Sequence, residues 1–149
     1  MADELEVTVD KFVFRVAADR LYSPEGLWVQ AAGDQVRVGL TDFLQQRSGD
    51  VAFAELKPAG TSLKAGDELA VIETIKVDIS LYAPVTGVIA AVNPALENQP
   101  ELINLDPYGE GWLVLIDPAN WEAEKASLRT PQVYFTLMKG QAEAEVGSA

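Results

Sequence analysis

The 149-residue sequence contains no cysteine and no histidine, and each absence removes whole classes of chemistry. Without cysteine the chain alone forms no disulfide, no thiolate nucleophile and no iron–sulfur cluster, and without either residue it has no Cys/His zinc site. Without histidine it has no Ser-His-Asp triad and no imidazole that titrates near neutral pH. Carboxylate, lysine or tyrosine chemistry, a cofactor supplied from outside, or no catalysis therefore remain.

Basic residues are also scarce. The chain has 11 Lys and Arg against 23 Asp and Glu, a net charge of −12 at pH 7. Nucleic acids and anionic membranes attract Lys and Arg, so this balance argues against both as partners and favours basic protein surfaces. The acidic start, Met1 to Glu6, is unlike a secretory signal, and no run of about 18 apolar residues exists. We expect a cytoplasmic protein, which the missing cysteine suits.

Short strands and turns dominate what the sequence does contain. Apolar residues make up 48% of the chain, enough for a single core at this length. Thr41 is a suitable N-cap for a short helix over about 42–47, and helices are also expected over about 118–127 and from Pro131 to about Lys139. Turn residues separate predicted strands at 27–31, 35–40, 51–56, 68–73, 77–82, 88–92 and 112–116. The pattern indicates a mainly β fold, a small antiparallel sandwich or barrel with C-terminal helices.

Three segments are predicted along the chain. Residues 1–20 are mixed in charge and are expected to form an N-terminal arm with irregular strand structure. Residues 21–127 form one domain. Residues 128–149 form a C-terminal helix and a tail that frays, because Gly140–Ala149 is rich in Ala, Glu and Gly.

One lysine stands out by its place between two predicted strands. The segment Glu73-Thr74-Ile75-Lys76-Val77 links strands 68–73 and 77–82, which puts Lys76 at or beside a hairpin tip. No other lysine lies between Lys64 and Lys125. Most turn lysines are only solvated, so this position alone leaves that interpretation open beside a functional one.

The residues around Lys76 resemble those of a known family. Glu-Thr-Ile-Lys (73–76) and Leu-Tyr-Ala-Pro-Val-Thr-Gly (81–87) resemble the lipoyl-attachment hairpin of the glycine cleavage system H-protein family. The resemblance spans about 21–121, and its other segments occur in order and at matching intervals: Val38–Phe43, Leu63–Glu73, Asn93–Asn104 and Asp106–Val114.

The resemblance implies a fold, a cofactor and two site residues. The implied fold is a barrel-sandwich hybrid lipoyl domain with C-terminal helices. Lys76 corresponds to the lysine that receives lipoic acid by amide linkage, and Glu73 to an acid presented to the lipoylating enzyme. A lipoylated lysine is a long tether that visits several active sites, so the implied role is a carrier and not an enzyme. We expect this carrier to be a monomer. The cofactor then supplies the sulfur that the chain lacks.

Two pathways fit such a carrier. Pro24–Trp28 keeps a family tryptophan but lacks its histidine, and Val77–Ser80 replaces a run of small residues. These departures favour a second group with the same fold, the lipoate-binding proteins of heterodisulfide-reductase-like sulfur oxidation. The partner would then be a heterodisulfide-reductase-like complex and the cargo a sulfur intermediate. The alternative is an H protein that carries the aminomethyl group between glycine cleavage enzymes.

Other classes of function remain as alternatives. An unmodified interaction module would use the fold without a cofactor, and a carboxylate-based hydrolase would need an acid/base pair that no motif marks. Asp106 and Glu110 on a glycine turn are too few for a calcium site, so no metal site is predicted. Four aromatic residues are expected in the core or on the sheets instead of at a cofactor: Trp28, Tyr82, Tyr108 and Trp112.

Overall fold

Short strands separated by turns make up most of the fold, as the sequence predicts. The computed structural model describes residues 3–147. Its strands are β1 (Glu4–Val9), β2 (Phe12–Ala17), β3 (Leu21–Tyr22), β4 (Leu27–Ala32), β5 (Gln35–Leu40), β6 (Val51–Leu56), β7 (Ser62–Leu63), β8 (Glu68–Thr74), β9 (Asp78–Tyr82), β10 (Gly87–Val92) and β11 (Val114–Pro118). Its α-helices are α1 (Asp42–Ser48), α2 (Leu102–Leu105), α3 (Trp121–Glu124) and α4 (Pro131–Gly147), and 3-10 turns lie at Pro94–Glu97 and Lys125–Ser127.

The main core lies between two antiparallel sheets. One sheet has the strand order β3-β4-β5-β11-β10-β7, and the other has the order β6-β8-β9. Alternate side chains of each strand point inward, so Val36 and Val38 of the first sheet join Ile72 and Leu81 of the second in one buried cluster. With helices at its C-terminal end, this arrangement confirms the predicted fold class.

The N-terminal segment differs most from the prediction. An irregular arm is expected over 1–20, but β1 and β2 form a regular antiparallel hairpin whose pairs run from Glu4–Ala17 to Val9–Phe12. β1 packs against α4 and β2 against α1. Val9, Phe14 and Val16 are buried in a second cluster there, and this buried face explains the regular pairing. Residues 1 and 2 of the expected arm lie outside the described part.

The C-terminal helix is longer than predicted. α4 continues past the expected end at Lys139 to Gly147, so residues 140–147 of the expected frayed tail are helical, while 148 and 149 lie outside the described part. Met138 and Ala142 are buried in the second cluster, and this packing stabilises the added turns. Among residues 3–147 no helix is long and apolar enough to cross a bilayer.

Candidate cofactor-attachment site

Lys76 lies at the tip of the β8–β9 hairpin. Glu73 and Asp78 form the last cross-strand pair, and Lys76 is in the loop that follows, with its side chain exposed. Both neighbours of Lys76 are exposed apolar residues, Ile75 at 74% and Val77 at 46%. The tip therefore presents a lysine between two apolar side chains to any protein that approaches it.

Thr74 holds the loop in one conformation. Its hydroxyl donates to the carbonyl oxygen of Val77 (2.8 Å) and accepts the backbone N–H groups of Lys76 (3.2 Å) and Val77 (3.0 Å). The backbone N–H of Thr74 also donates to the carbonyl of Val77 (2.9 Å). A threonine hydroxyl that accepts from residues two and three positions ahead is a common way to fix a turn. The loop is thus ordered although its side chains are exposed.

The base of the tip is tied to the segment between α1 and β6. The N–H of Ile75 donates to the carbonyl of Asp50 (3.0 Å). Asn104 holds that segment from α2, because its amide group donates to the carbonyl of Gly49 (3.1 Å) and accepts the N–H of Val51 (2.8 Å). The lysine therefore stands on a fixed base instead of a loose loop.

The side chain of Lys76 lies along the end of α1. Its Nζ donates to the carbonyl oxygen of Arg47 at 3.2 Å, in the last turn of the helix, where a cation is favourable. A Cβ placed on Gly49 would lie 3.2 Å from Cδ of Lys76, and Gly49 has a φ of 94°. A glycine therefore suits this position for its backbone and for the space it leaves to the lysine.

Glu73 lies at the same end of the hairpin as Lys76. It is exposed on the outer face of the β6-β8-β9 sheet, where its cross-strand neighbours are Asp78 and Phe53. Since directly opposite residues in an antiparallel pair point to the same face, two carboxylates lie side by side next to the tip. The structure thus brings together both residues that the sequence singled out.

Two cavities meet at Lys76. One of about 400 Å³ is mainly apolar and is lined by phenylalanine side chains of β2 and α1 and by the end of α4. The other, of about 500 Å³, lies toward Glu25, Ser48 and Asp78 and is more polar. Lys76 and Arg47 line both. A group attached to Nζ therefore has a cavity on either side of it.

Sequence reasoning missed several residues that shape this site. Arg47, Asn104 and the phenylalanines at 12 and 14 were not singled out, because their roles arise from contacts between distant parts of the chain. The Arg47–Lys76 bond spans 29 positions and the bond from Asn104 to Gly49 spans 55. The one available signal was the position of Asn104 in the segment Asn93–Asn104, which carries part of the family resemblance.

Three of the residues for which the sequence predicts no cofactor or metal role have structural contacts: Trp28, Tyr108 and Asp106. Trp28 is fully buried and its indole N–H donates to the carbonyl of Pro107 (2.9 Å). The guanidinium of Arg20 lies 4.6 Å from the ring centre of Trp28 and 5.2 Å from that of Tyr108. Asp106 accepts the N–H of Glu110 (2.8 Å), so its carboxylate holds its own turn.

Comparisons with known proteins agree with this geometry. The sequence model of the family described as "Glycine cleavage H-protein" matches residues 20–141. A "Probable glycine cleavage system H protein" of Haloarcula marismortui is 42% identical over 121 residues, which cover 81% of this chain and 94% of that protein. A "Glycine cleavage system H protein" of Carboxydothermus hydrogenoformans is 39% identical over 128 residues, which cover 86% of this chain and 98% of that protein.

A solved structure gives the same result. The crystal structure of a glycine cleavage system H protein from Mycobacterium marinum superposes with a TM-score of 0.72 at 33% identity, covering 78% of this chain and 94% of that one. H proteins are non-catalytic carriers that hold lipoate covalently on a lysine. These matches support the glycine cleavage alternative and give no support to the sulfur-oxidation pathway that the hairpin favoured. The chain belongs to the glycine cleavage H-protein family.

Proposed function

We propose that lipoate is attached through an amide bond to Nζ of Lys76, and that the chain carries the aminomethyl group between the enzymes of the glycine cleavage system. The observation that carries this proposal is the exposed lysine at the tip of a fixed hairpin, inside the region that matches the family. When bound, lipoate supplies a dithiolane, the reactive sulfur that this chain cannot provide.

Two other lysines, Lys57 and Lys125, fit the attachment role less well because each lies beside a carboxylate. Lys57 lies 3.8 Å from a carboxylate oxygen of Glu68, and Lys125 lies 2.7 Å from one of Glu122. None of the ion pairs within residues 3–147 includes Lys76, whose Nζ bonds only a backbone carbonyl. An enzyme that acylates Lys76 therefore displaces one neutral acceptor and breaks no ion pair.

The residues of the tip orient and present the arm. Thr74 and Asp50 fix the backbone on either side of Lys76, so the flexible part begins at the lysine side chain. A rigid base with a flexible tether keeps the end group at high effective concentration around one face of the protein. Glu73, beside the tip, gives the lipoylating enzyme a fixed negative charge by which to recognise this lysine.

The acidic surface suits the partners that this role requires. Acylation of Lys76 removes one positive charge, so the net charge of −12 becomes more negative when the carrier is loaded. Complementary charge speeds encounter and orients the partner, which suits short visits to several enzymes. We expect the partner enzymes to present basic residues around the openings that receive the arm.

Glycine-dependent release of CO2 tests the function. We expect the lipoylated chain to support CO2 release when it is mixed with a glycine decarboxylase, and lipoylated protein is expected to be required. Lys76→Arg keeps the positive charge but removes the attachment amine, so it is expected to give background release. Lys64→Arg, at another exposed lysine, is the matched control and retains release. No release from the lipoylated chain, with a decarboxylase that works with its own carrier, would refute the glycine cleavage role.

A further inference from the structure

The N-terminal hairpin has an open edge along β1. Among residues 3–147, β1 pairs only with β2, and this two-stranded sheet joins neither main sheet. The pairing of β1 with β2 has no register shift, whereas β6 and β9, at the edges of the smaller main sheet, each pair with β8 through one. Irregular pairing protects a sheet edge against added strands, and a regular open edge invites them. This edge also lies before residue 20, where the family match begins.

The other edge of the hairpin, along β2, is already covered by side chains. The N–H of Arg15 donates to a carboxylate oxygen of Asp42 (2.9 Å), and the carbonyl of Arg15 accepts the hydroxyl of Tyr108 (2.7 Å). The carbonyl of Val13 accepts the side-chain amide of Gln46 (2.8 Å). These bonds take the place that a further strand would have beside β2.

The register of the hairpin identifies the backbone groups at the open edge. In an antiparallel pair, directly opposite residues both direct their N–H and C=O groups toward the partner strand or both direct them away. Val13 and Arg15 bond outside the hairpin, so their opposite residues Thr8 and Glu6 face outward too, and Glu4 follows by alternation. All three are exposed, and no backbone bond joins them to a further strand of the described chain.

The side chains of β1 favour a partner that is basic on one face and apolar on the other. Glu4 and Glu6 lie on the outer face, where Glu6 also forms an exposed ion pair of 3.3 Å with Arg15. Such exposed pairs are weak, so Glu6 still attracts another cation. On the inner face, Leu5 and Val7 pack against the second cluster but are only half-buried. A strand that alternates basic and apolar residues complements both faces.

We propose that the open edge of β1 binds an extended segment of a partner protein as a third strand of the hairpin sheet. In this segment Lys or Arg residues lie beside Glu4 and Glu6, and the apolar residues between them cover Leu5 and Val7. Backbone hydrogen bonds supply the affinity of such strand addition, and the alternate side chains supply its specificity. The net charge of −12 attracts the same basic segment from a distance.

The position of the edge gives this contact a use. The turn at Asp10, where β1 ends, lines the same cavity as Lys76, whereas Glu4, Glu6 and Thr8 line neither cavity at that lysine. A segment bound along β1 therefore holds its protein beside the attachment end and leaves Lys76 uncovered. The inference does not depend on the attachment of lipoate to Lys76.

A second copy of the chain fits the edge less well. In a two-fold antiparallel pairing that uses the whole strand, Glu6 lies opposite Glu6 of the second copy. Like charges directly opposite each other destabilise a strand pair, and each copy carries a net charge of −12. The charge of the edge thus favours a basic partner over self-association.

Amide hydrogen exchange, measured by NMR on the full chain, tests the edge directly. The probe is a peptide of alternating Lys and Val, about as long as β1. In the free chain we expect the N–H groups of Glu6 and Thr8 to exchange faster than that of Val7, which faces β2. Saturating peptide is expected to slow exchange at Glu6 and Thr8 at least about tenfold. It is expected to leave the N–H of Arg15, already bonded to Asp42, unchanged.

Substitutions at the edge separate strand addition from attraction to charge. Thr8→Pro removes one outward N–H without changing the charge, and proline is tolerated where an edge N–H faces solvent. We expect it to raise the Kd of the labelled peptide at least about fivefold, the loss of one hydrogen bond, and Thr8→Val to change the Kd less than about twofold. Glu6→Gln is expected to raise the Kd at least about twofold more than Glu97→Gln, at an exposed acid outside the hairpin.

The outcomes are distinct. Equal Kd values for Thr8→Pro and Thr8→Val, binding without slower exchange at Glu6 and Thr8, or no binding at about 1 mM peptide each refute the proposal. Exchange at these residues that slows in the free chain as its concentration rises assigns the edge to a second copy instead. If Thr8→Pro does not fold, by circular dichroism, the exchange measurement on the unaltered chain still decides. Lys76→Arg is expected to bind the peptide like the unaltered chain, so failure here leaves the carrier role intact.

Discussion

The role proposed for Glu73 depends on its place beside the tip. It lies three positions before Lys76, and Asp78 lies opposite it on the same face. If Glu73 is the charge that the lipoylating enzyme reads, Glu73→Gln removes the charge, keeps the shape and slows lipoylation about five- to tenfold, a loss of about 1 to 1.4 kcal/mol. Asp78→Asn removes a neighbouring charge and is expected to change the rate less than about twofold. Initial rates of adduct formation by mass spectrometry decide between them, and equal effects of the two substitutions would refute a specific role for Glu73.

At the residue scale, the sequence predicts the features that depend on neighbouring residues along the chain, such as helix caps and turns. Thr41 is the N-cap of α1, and its hydroxyl accepts the N–H of Leu44 (3.2 Å) as expected. Gly66, in the turn between β7 and β8, has a positive φ of 96°, a conformation that glycine adopts readily. Both features depend on neighbours along the chain. By contrast, the bond from Lys76 to Arg47 depends on how α1 meets the β8–β9 hairpin, and no local pattern contains that information.

At the scale of elements, the errors share a physical cause. The hairpin of β1 and β2 and the final turns of α4 were expected to be irregular or frayed, yet each packs its apolar side chains against the other in the second cluster. Neither element is strongly patterned alone, and tertiary packing overrides weak local propensity. The helical segment expected over about 118–127 ends as predicted but begins only at Trp121, as α3 followed by the 3-10 turn Lys125–Ser127. Its start is later because β11 extends through Pro118 by pairing with β10. The strands of the two main sheets were predictable because their alternation is strong and turn residues separate them.

At the scale of the whole molecule, burial of tyrosines couples stability to alkaline pH. Burial raises the pKa of Tyr134 to about 12, and it raises the pKa values of Tyr22 and Tyr108 above their usual range. The unfolded chain loses these protons from about pH 10, while the folded chain keeps them. The contribution of these three tyrosines to the free energy of unfolding is therefore fully present below about pH 10. It is lost as pH rises above that value, by up to about 1.4 kcal/mol per pH unit for each of the three.

Urea denaturation between pH 8 and pH 12 measures this dependence. Tyr134 shares a hydrogen bond of 3.0 Å with the hydroxyl of Thr41, so Tyr134→Phe is expected to lower stability by about 1 kcal/mol at pH 8. It is also expected to make the alkaline loss less steep, because one fewer buried group titrates. A free energy of unfolding that stays constant up to pH 12 would contradict the burial of these hydroxyl groups.

Peptide mass spectrometry of the protein coexpressed with a lipoylating enzyme tests most directly whether Lys76 carries the reactive sulfur that this cysteine-free chain lacks. We expect one lipoyl adduct, located on Lys76 and lost in Lys76→Arg, with the Lys57→Arg and Lys64→Arg chains modified as fully as the unaltered one. An adduct on Lys57 or Lys64, or no adduct on a chain that a working lipoylating enzyme has met, would contradict it.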